Sequence, residues 1–364
     1  TFVFEYPSVQ TQLRFFLESS EKEKRYLSSA SASASTTTVD CAVIGMACRF
    51  PGAKNAKEFW DNLVAGKETI RFFNEDEISS EVDQEERHHK HYVRAKGVVD
   101  DSDKFDAKFF GISPVEADVM DPQHRVMLEM AWHALEDAGY PPGDADADQG
   151  DKGLRTGVFA GANWPRYFHQ YVLPNKSLLK RYGAFNASLA NEADFLTTRI
   201  SYQLNLKGPS VNVYSACSTG LVAVSQACAS IERGDCEMAI AGGVSITTPL
   251  QSGYLYQEGG MFSVDGHCRP FDAKATGTTF NDGAGMVVLK RLDLAQRDGD
   301  QIYAVVKGHA VNNDGEQKAS FTAPSVGGQV DVYNAALARS GFEPSSVGFI
   351  ETHGTATPLG DPIE

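Results

Sequence analysis

The sequence predicts an α/β layered fold, and three observations support this prediction. Short apolar runs with the length of strands alternate along the chain with stretches whose apolar residues recur at helical spacing. At 364 residues the chain is long enough to bury a large core and to form more than one lobe. Hydrophobic residues make up 42% and charged residues 22%, which is typical of an ordinary globular protein.

The first lobe begins with a strand and a helix. An apolar run predicts a strand over 41–46, and the next helix is expected over 58–64. The residues expected on the inner side of this helix are Phe59, Trp60 and Leu63. Residues 75–104 are charged and irregular, which predicts an exposed excursion from the fold.

A strong helix and three buried strands follow. Apolar residues recur at helical spacing over 123–138, and Asp121 with Pro122 predicts the N-cap and first turn of this helix. Its apolar stripe consists of Val126, Met127, Met130, Ala131 and Leu135. Continuous apolar runs predict buried strands, which are expected over 157–161, 238–246 and 285–289.

A second lobe is expected to start near Ile302. It is predicted to contain a strand within 303–308, a helix over 330–340 and a short strand over 347–350. This order continues the alternation of the first lobe and supports the α/β prediction.

Cys217 is a candidate catalytic nucleophile. The β-branched run before it, from Val211, predicts a buried strand, and apolar residues after it recur at helical spacing. Those residues are Leu221, Val224, Cys228 and Ile231. At a strand-to-helix junction, unpaired N–H groups and the helix dipole favour negative charge, which lowers a thiol pKa and can hold an oxyanion. From this segment alone, an inert buried cysteine remains the alternative.

His353 near the end of the sequence is the candidate partner of this thiol. It follows the strand predicted over 347–350 and precedes a turn rich in Gly, Thr and Pro, so we expect it to project into a cleft. A lone histidine is more often structural. A cysteine with a distant histidine, however, is the general pattern of thiol covalent catalysis.

These segments resemble the β-ketoacyl synthase family, in particular the ketosynthase domains of modular type I polyketide synthases. The resemblance covers roughly residues 39–364 and includes the segment around Cys217. The other matching segments, in the family's order, are 42–52 (AVIGMACRFPG), 109–114 (FFGISP), 120–125 (MDPQHR), 265–272 (DGHCRPFD) and 353–355 (HGT).

The resemblance implies the thiolase fold, a five-layered α-β-α-β-α sandwich made of two similar halves. It places the N-terminal half at 39–297 and the C-terminal half at 298–364, and it implies that the second half is truncated. In the family, the Gly-rich turn at 277–285 supports the active site and binds no nucleotide. Ketosynthases also form two-fold dimers through sheet edges, here at about 209–214.

A decarboxylative Claisen condensation is the activity that the resemblance implies. Cys217 would accept an acyl group from an acyl carrier protein, and a malonyl-type extender on a second carrier would lose carbon dioxide and attack the acyl-Cys217 thioester. His353 would stabilise the extender's enolate oxygen, while Thr355 and Thr357 would hydrogen-bond the phosphopantetheine arm. No metal or directly bound cofactor is expected, because the 4'-phosphopantetheine belongs to the partner carrier domains. The implied partners are carrier domains, upstream and in the same module, and an acyltransferase-type domain that supplies malonyl groups.

The sequence departs from the family pattern at two places. Ala356 stands where the family has glycine between the two threonines, and its methyl group could crowd the pantetheine path. The loop 214–220 differs from the usual Thr-Ala-Cys-Ser-Ser, which bears on acyl-chain preference and leaves the nucleophile in place.

The first 38 residues have a different character. Residues 1–20 resemble the C-terminal helix of an acyl carrier protein domain, with a mere domain-flanking helix as the alternative. Its apolar face consists of Val9, Leu13, Phe16 and Leu17. Residues 21–38 predict a flexible linker, because 28–38 contain only Ser, Ala and Thr and offer too little apolar surface to offset the entropy of ordering.

Net charge and cysteine content limit the kinds of binding partner and cellular compartment that the sequence predicts. The net charge of −15 argues against a nucleic-acid surface and against docking on anionic membranes. No apolar stretch approaches the roughly 18 residues that a membrane span needs. The six cysteines form no CxxC pair, which favours a reducing, cytoplasmic location. The histidines at 88, 89 and 91 lie in a charged run and are interpreted as a solvated loop.

Three other functions remain as alternatives. A non-elongating ketosynthase would take an acyl group on Cys217 and transfer it without extension. A degradative thiolase shares the fold and the cysteine, but it uses a second cysteine as its base and acts on coenzyme A esters; the segment from His353 argues against it. A purely structural or docking domain is disfavoured because both visible catalytic positions are filled.

Overall fold

The structure is a computed structural model that describes residues 39–142 and 155–364. The helix predicted in residues 1–20 and the linker over 21–38 lie outside the described residues. In chain order, the strands are β1 (Cys41–Arg49), β2 (Arg71–Phe72), β3 (Tyr92–Val93), β4 (Ala95–Lys96), β5 (Thr156–Ala162), β6 (Ser210–Asn212), β7 (Met238–Ser245), β8 (Tyr254–Leu255), β9 (Gly283–Arg291) and β10 (Ala304–Val306).

The helices alternate with these strands. In chain order, they are α1 (Ala56–Val64), α2 (Gln84–Arg87), α3 (Pro114–Val119), α4 (Pro122–Asp137), α5 (Lys176–Tyr182), α6 (Ala184–Leu189), α7 (Leu196–Gln203), α8 (Thr219–Glu232), α9 (Leu292–Asp298), α10 (Val326–Ser340) and α11 (Gly360–Ile363). Short 3₁₀ turns lie at Ala193–Phe195, Ala216–Ser218 and Pro344–Ser346, and a π-helical turn lies at Phe168–Val172.

One mixed sheet organises the described residues. Its strand order is β10-β1-β9-β7-β5-β6. Strand β5 runs parallel to both β6 and β7, while β9 pairs antiparallel with β7 and β1, and β1 pairs antiparallel with β10. The carboxyl ends of β5, β6 and β7 therefore meet at one edge of the sheet, and the segment that contains Cys217 leaves from this edge.

Two apolar cores lie on opposite faces of the sheet. Side chains of a strand alternate between faces, so Ala42 and Ile44 of β1 pack in the core that contains α4, while Cys41 packs in the core that contains α8. Strand β7 alternates in the same way, with Ile240 on the α4 side and Ala239 on the α8 side. The sheet and these two helices make three successive layers, helix, sheet and helix.

The main elements of the first lobe are confirmed. Strands β1, β5, β7 and β9 cover the apolar runs predicted as strands, and α4 covers the predicted long helix. The five residues of its predicted apolar stripe are all buried. Asp121 is the N-cap of α4, since its carboxylate accepts a hydrogen bond of 2.8 Å from the N–H of Gln123.

Two predictions of burial in the first lobe are wrong. Helix α1 forms as expected, but Phe59, Trp60 and Leu63 are all exposed and no residue of this helix is buried. The strand before Cys217 is the edge strand β6, with Val211 exposed, because among the described residues only β5 pairs with it. An apolar pattern indicates which face of an element is apolar, and burial depends on a partner that the local sequence does not reveal.

The 75–104 segment also differs from its prediction. It does contain many exposed charged residues, but it includes α2, β3 and β4, and Val98 and Val99 are buried. Strand β3 pairs with β8 and β4 pairs with β2, so the segment is anchored to the fold by two small sheets.

In the second lobe, α10 and the strand predicted within 303–308 are confirmed, and the prediction of a strand over 347–350 is wrong. The first strand, β10, joins the edge of the first-lobe sheet through antiparallel pairing with β1. The segment 347–350 is not a strand: no described residue pairs with it, and Phe349 and Ile350 are 79% and 72% exposed. Without a neighbouring strand, its β-branched and aromatic residues cannot form a ladder.

Candidate active site

Cys217 lies at the turn between β6 and α8. The strand end is fixed by a hydrogen bond of 2.9 Å from the N–H of Val213 to the carbonyl of Ala160 on β5. The turn is closed by Thr219, whose hydroxyl accepts a bond of 3.2 Å from the Ser215 N–H and donates one of 2.7 Å to the Ala216 carbonyl. The residue before the cysteine, Ala216, has φ of +50°, a left-handed conformation that L-residues rarely adopt. This sharp turn presents the thiol at the surface.

A row of glycines lets α8 start close to the sheet. Gly161 of β5, Gly243 of β7 and Gly285 of β9 lie side by side in register. A Cβ atom at Gly161 would lie 2.0 Å from the Val213 carbonyl oxygen and 2.6 Å from the Thr219 side chain. No other residue type fits there, so Gly161 sets how closely the turn before Cys217 approaches the sheet.

The environment of Cys217 differs from that of the other cysteines. All six cysteines are free, and Cys217 is the only exposed one. Burial raises the pKa of the Cys48, Cys236 and Cys268 thiols, which disfavours their reactive thiolate forms. Ser218, at the N-cap of α8, makes no side-chain bond to the first-turn amides. The helix dipole at this end of α8 favours negative charge on an anion or a substrate oxygen beside Cys217.

His353 is exposed and follows an irregular segment instead of the predicted strand. The N–H groups of His353 and Gly354 donate hydrogen bonds of 3.1 and 2.9 Å to the carboxylate of Glu364. Within the described residues, the imidazole ring of His353 makes no hydrogen bond, so its nitrogens are available to a ligand. The described residues also contain no hydrogen bond between Cys217 and His353.

The structure brings Thr355 and Thr357 together. Their hydroxyl oxygens lie 3.2 Å apart, and that of Thr357 also accepts a bond of 3.1 Å from the Gly360 N–H at the start of α11. Between them, Ala356 is buried and has φ of +57°. This left-handed conformation favours glycine, so alanine at this position strains the backbone. The methyl group points into protein, so it is buried rather than exposed along a substrate path.

Asp361 is a positioning residue that sequence analysis did not single out. Its two carboxylate oxygens accept hydrogen bonds of 2.9 Å from the Ala356 N–H and 2.7 Å from the Phe271 N–H. On the same side, the Cys268 thiol lies 3.9 Å from the Gly354 carbonyl. The segment after His353 is thus held against the loop 265–272. These two segments were recognised as separate matches to the family in the sequence, and the structure brings them into contact.

Gln123 is a second positioning residue that the sequence analysis missed. Its side-chain oxygen accepts bonds of 2.9 Å from the Asn163 N–H and 3.4 Å from the Ile246 N–H, and its amide group donates a 3.1 Å bond to the Asn163 carbonyl. These residues follow β5 and β7, so the buried Gln123 ties α4 to the sheet edge near the Cys217 turn. The only sequence feature that could have indicated this role was the run of polar residues 123–125 at the start of a strongly apolar helix.

The Gly-rich turn at 277–285 is anchored to the same edge. Asn281 accepts a 2.6 Å bond from the Gly97 N–H, and Asp282 accepts a 2.9 Å bond from the Thr247 N–H. Asp282 also forms a buried ion pair with Lys96 at 3.2 Å. Burial raises the pKa of Asp282 and lowers that of Lys96, and their mutual attraction opposes both shifts.

The described part of the chain contains neither a group of residues suited to bind a metal ion nor a helix suited to cross a membrane. No group of three or more His, Cys, Asp or Glu residues there could hold a metal ion. No helix there has both the length and the apolar character required to cross a membrane. His88, His89 and His91 are exposed, as expected for a solvated loop.

Two adjacent domain families match the sequence. The β-ketoacyl synthase N-terminal domain matches residues 39–295, and the β-ketoacyl synthase C-terminal domain matches residues 303–364. The chain belongs to the β-ketoacyl synthase family. The ketosynthase segments recognised in the sequence are thus confirmed as those of this family.

Curated relatives of this ketosynthase chain are polyketide synthases. A phenolphthiocerol/phthiocerol polyketide synthase from Mycobacterium tuberculosis is 47% identical over 330 residues, which cover 89% of this chain and 22% of that protein. Polyketide synthase PksN of Bacillus subtilis is 40% identical over 326 residues, which cover 89% of this chain and 6% of that protein. The chain therefore spans less than a quarter of the length of either relative.

Solved ketosynthases share the fold. Ketosynthase twelve of the bacillaene polyketide synthase from Bacillus amyloliquefaciens is 40% identical with a TM-score of 0.80, covering 89% of this chain and 56% of that chain. The oxazolomycin ketosynthase domain from Streptomyces albus is 36% identical with a TM-score of 0.76, covering 90% of this chain and 55% of that chain. The predicted α/β thiolase fold is confirmed.

Proposed function

We propose that this protein is the β-ketoacyl synthase of a polyketide-type assembly line and catalyses decarboxylative Claisen condensation. The observation that carries this proposal is the position of Cys217, an exposed thiol at the uncapped start of α8, in a chain of the ketosynthase family. The names of the relatives, which are polyketide synthases, support the substrate class.

In the first stage, the Cys217 sulfur attacks the carbonyl carbon of an acyl thioester on a carrier protein. The carrier's thiol leaves with the proton that the cysteine gives up, and the acyl group remains on Cys217. The start of α8 lies beside the thiol, and the helix dipole there can stabilise the oxyanion that develops on the carbonyl.

In the second stage, a malonyl-type extender loses its carboxylate as carbon dioxide, and the resulting enolate carbon attacks the acyl-Cys217 thioester. The Cys217 thiolate leaves, and the product is a β-ketoacyl chain that is two carbons longer. We assign His353 as the donor to the enolate oxygen, because its ring makes no hydrogen bond within the described residues and a positioned donor lowers the barrier to enolate formation.

Thr355 and Thr357 are assigned to the phosphopantetheine arm of the carrier. Their hydroxyl groups lie 3.2 Å apart on the segment that carries His353, so both can contact one extended ligand. The proposed partners are acyl carrier domains, upstream and in the same module, together with an acyltransferase-type domain that supplies malonyl groups. The resemblance of the sequence of residues 1–20 to the C-terminal end of an acyl carrier domain supports this arrangement.

We also propose that the protein acts as a cytoplasmic homodimer. Strand β6 is a sheet edge, and Val211 and Tyr214 beside it are 37% and 60% exposed, so a second copy could cover this apolar edge. The six free cysteines fit a reducing compartment.

The test supplies the protein with an acyl-pantetheine donor and a malonyl carrier protein and measures β-ketoacyl product by mass spectrometry. Product should form with the unchanged protein and with Cys268→Ala, which removes a half-buried thiol near the His353 segment. It should be absent with Cys217→Ala. Acyl transfer without carbon dioxide release would instead indicate a non-elongating ketosynthase.

A further inference from the structure

A polar cluster joins the nucleophile helix α8 to the C-terminal lobe. Ser225 of α8 contacts His309 Nδ1 at 2.8 Å, and His309 Nε2 contacts one carboxylate oxygen of Glu232 at 3.1 Å. The other carboxylate oxygen of Glu232 accepts a hydrogen bond from Arg339 of α10. Arg339 Nη2 also lies 3.2 Å from His309 Nε2, but that nitrogen cannot both accept from Arg339 and donate to Glu232. When Nε2–H donates to Glu232, Ser225 donates to Nδ1 and the Arg339 guanidinium pairs with Glu232 alone. We call these four residues the Glu232 clamp.

The two clamp residues that lie outside α8, His309 and Arg339, belong to segments that pack against each other. His309 follows β10 directly, and the neighbouring Gly308 lies against α10 so closely that a Cβ atom there would be 2.2 Å from the Ala336 carbonyl. The clamp therefore connects α8 to the segment after β10 through His309 and to α10 through Arg339.

Apolar packing contributes little to this junction. No residue of α10 is buried, and beyond β10 the buried hydrophobic residues of the described chain are Ala323 and Ala356. Other connections include the short pairing of β10 with β1, an ion pair between Lys307 and Asp40, and the hydrogen bond from the Phe271 N–H to Asp361. Polar contacts thus carry an unusual share of the attachment, and the His309 side chain in the clamp is only 11% exposed.

We infer that the Glu232 clamp is a positioning device that sets where the His353 segment lies relative to Cys217. Helix α8 starts beside Cys217 and ends at Glu232, and it packs on β7, β5 and β9, so its two ends move as one body. The segments that carry His309 and Arg339 come shortly before His353 in the chain. Losing the clamp should therefore disturb condensation, which requires both residues, and spare acylation, which requires Cys217. This inference rests on the proposed function.

Arg339→Ala in the full chain is the primary test, because this side chain is 42% exposed and its loss should leave the fold intact. Acylation of Cys217 and condensation of the acylated protein are measured separately. We expect condensation to fall about tenfold and acylation to change less than about twofold, since small misplacements of reacting groups have large effects on rate. Arg339→Lys should recover most of the loss, because a lysine can still pair with Glu232.

Arg233→Ala is the matched control, since Arg233 lies next to Glu232 and pairs only with the exposed Asp235 in the described structure. It should change neither stage. The double variant Glu232→Gln/Arg339→Ala should be no slower in condensation than the slower of the two single variants, because residues that act as a unit show non-additive effects.

Hydrogen exchange gives a readout that does not depend on catalysis. The amides of His353 and Gly354 should exchange about fivefold faster in Arg339→Ala than in the unchanged protein, while those of α4 keep their rates. Equal losses in both stages, or unchanged condensation and unchanged exchange, would overturn the inference. If the unchanged protein forms no acyl-Cys217, the proposed function fails, and the exchange result still decides whether the clamp positions the His353 segment.

Discussion

The carboxylate of Asp361 accepts a hydrogen bond of 2.7 Å from the backbone N–H of Phe271. Its second oxygen holds the Ala356 N–H at 2.9 Å, and the residue is only 8% exposed. One buried carboxylate therefore connects the segment of His353 to the loop 265–272. This connection is the most direct evidence in the structure that the two segments form one site.

Asp361→Asn is expected to loosen this connection. An amide can accept only one of the two backbone bonds and turns an N–H group toward the other donor, and a hydrogen bond to a charged group contributes about 1.5–3 kcal/mol. We therefore expect a loss of stability of that order, measured by denaturant unfolding, and slower condensation at unchanged Cys217 acylation. Asp272→Asn is the control, because Asp272 caps a turn through the Lys274 N–H on the same loop without reaching the His353 segment. Equal effects of the two variants would contradict the role of Asp361.

Gln123→Leu tests the connection between α4 and the sheet edge. Leucine keeps most of the volume but leaves the Asn163 N–H and carbonyl without their partner, and an unsatisfied buried polar group costs about 1–3 kcal/mol. We expect the free energy of unfolding to fall by about 2–4 kcal/mol. The exposed Gln226 on α8 offers a matched control, and Gln226→Leu should change stability by less than about 0.5 kcal/mol. A near-neutral Gln123→Leu would argue against the assignment.

Asp121 should give stability a distinctive pH dependence. Burial raises the pKa of its carboxyl to about 6, although the bond from Gln123 opposes this shift. The folded protein therefore holds this proton more tightly than the unfolded chain does, so the group favours folding at low pH and this contribution is lost as pH rises from about 4 to about 6. Asp121→Asn removes the titration and should gain stability relative to the unchanged protein across this interval, by up to about 3 kcal/mol.

The test measures the free energy of unfolding of the unchanged protein and of Asp121→Asn at several pH values and takes the difference between them at each pH. Other titrating groups, including the buried His124, are present in both proteins and cancel in the comparison. A difference that stays constant between about pH 4 and 6 would show that Asp121 does not titrate in this range.

The parts of the fold that were predictable from sequence are those that local pattern determines. The stripe of α4 and the continuous apolar runs of β5, β7 and β9 predict elements that contribute many side chains to the core, and the structure buries them there. The position of Cys217 at a strand-to-helix turn was also predictable, because the strand and helix patterns on either side of it are local; its role as nucleophile stays a prediction. The segment 347–350 has an equally good strand pattern, but a ladder depends on a neighbour that the pattern does not reveal.

The connections around the site were not predictable, because they join side chains to backbone groups far away in sequence. Gln123 contacts the backbone of Asn163, and Asp361 contacts that of Phe271. Neither contact has a periodicity that a sequence shows. Likewise, the pairing of β10 with β1 depends on which sheet edge is free.

His353→Ala is expected to separate the two stages of the reaction. If His353 stabilises the enolate, decarboxylation and condensation should fall by about 10²–10³, the effect of losing one oxyanion donor. Acylation of Cys217 should persist, because its thiol is exposed and makes no hydrogen bond to His353 in the described residues. His91→Ala, at an exposed histidine of another segment, should change neither stage. A collapse of acylation with persistent carbon dioxide release would assign His353 as the base of Cys217 instead.

The site of acylation tests the central claim most directly. The protein is incubated with an acyl-pantetheine donor, digested and analysed by peptide mass spectrometry, with Cys217→Ala and Cys268→Ala treated in parallel. Because Cys217 is the only exposed thiol, one acyl adduct should appear, on the peptide that contains Cys217, in the unchanged protein and in Cys268→Ala. Cys217→Ala should carry no adduct. An adduct of equal amount that persists in Cys217→Ala would contradict the identification of Cys217 as the nucleophile.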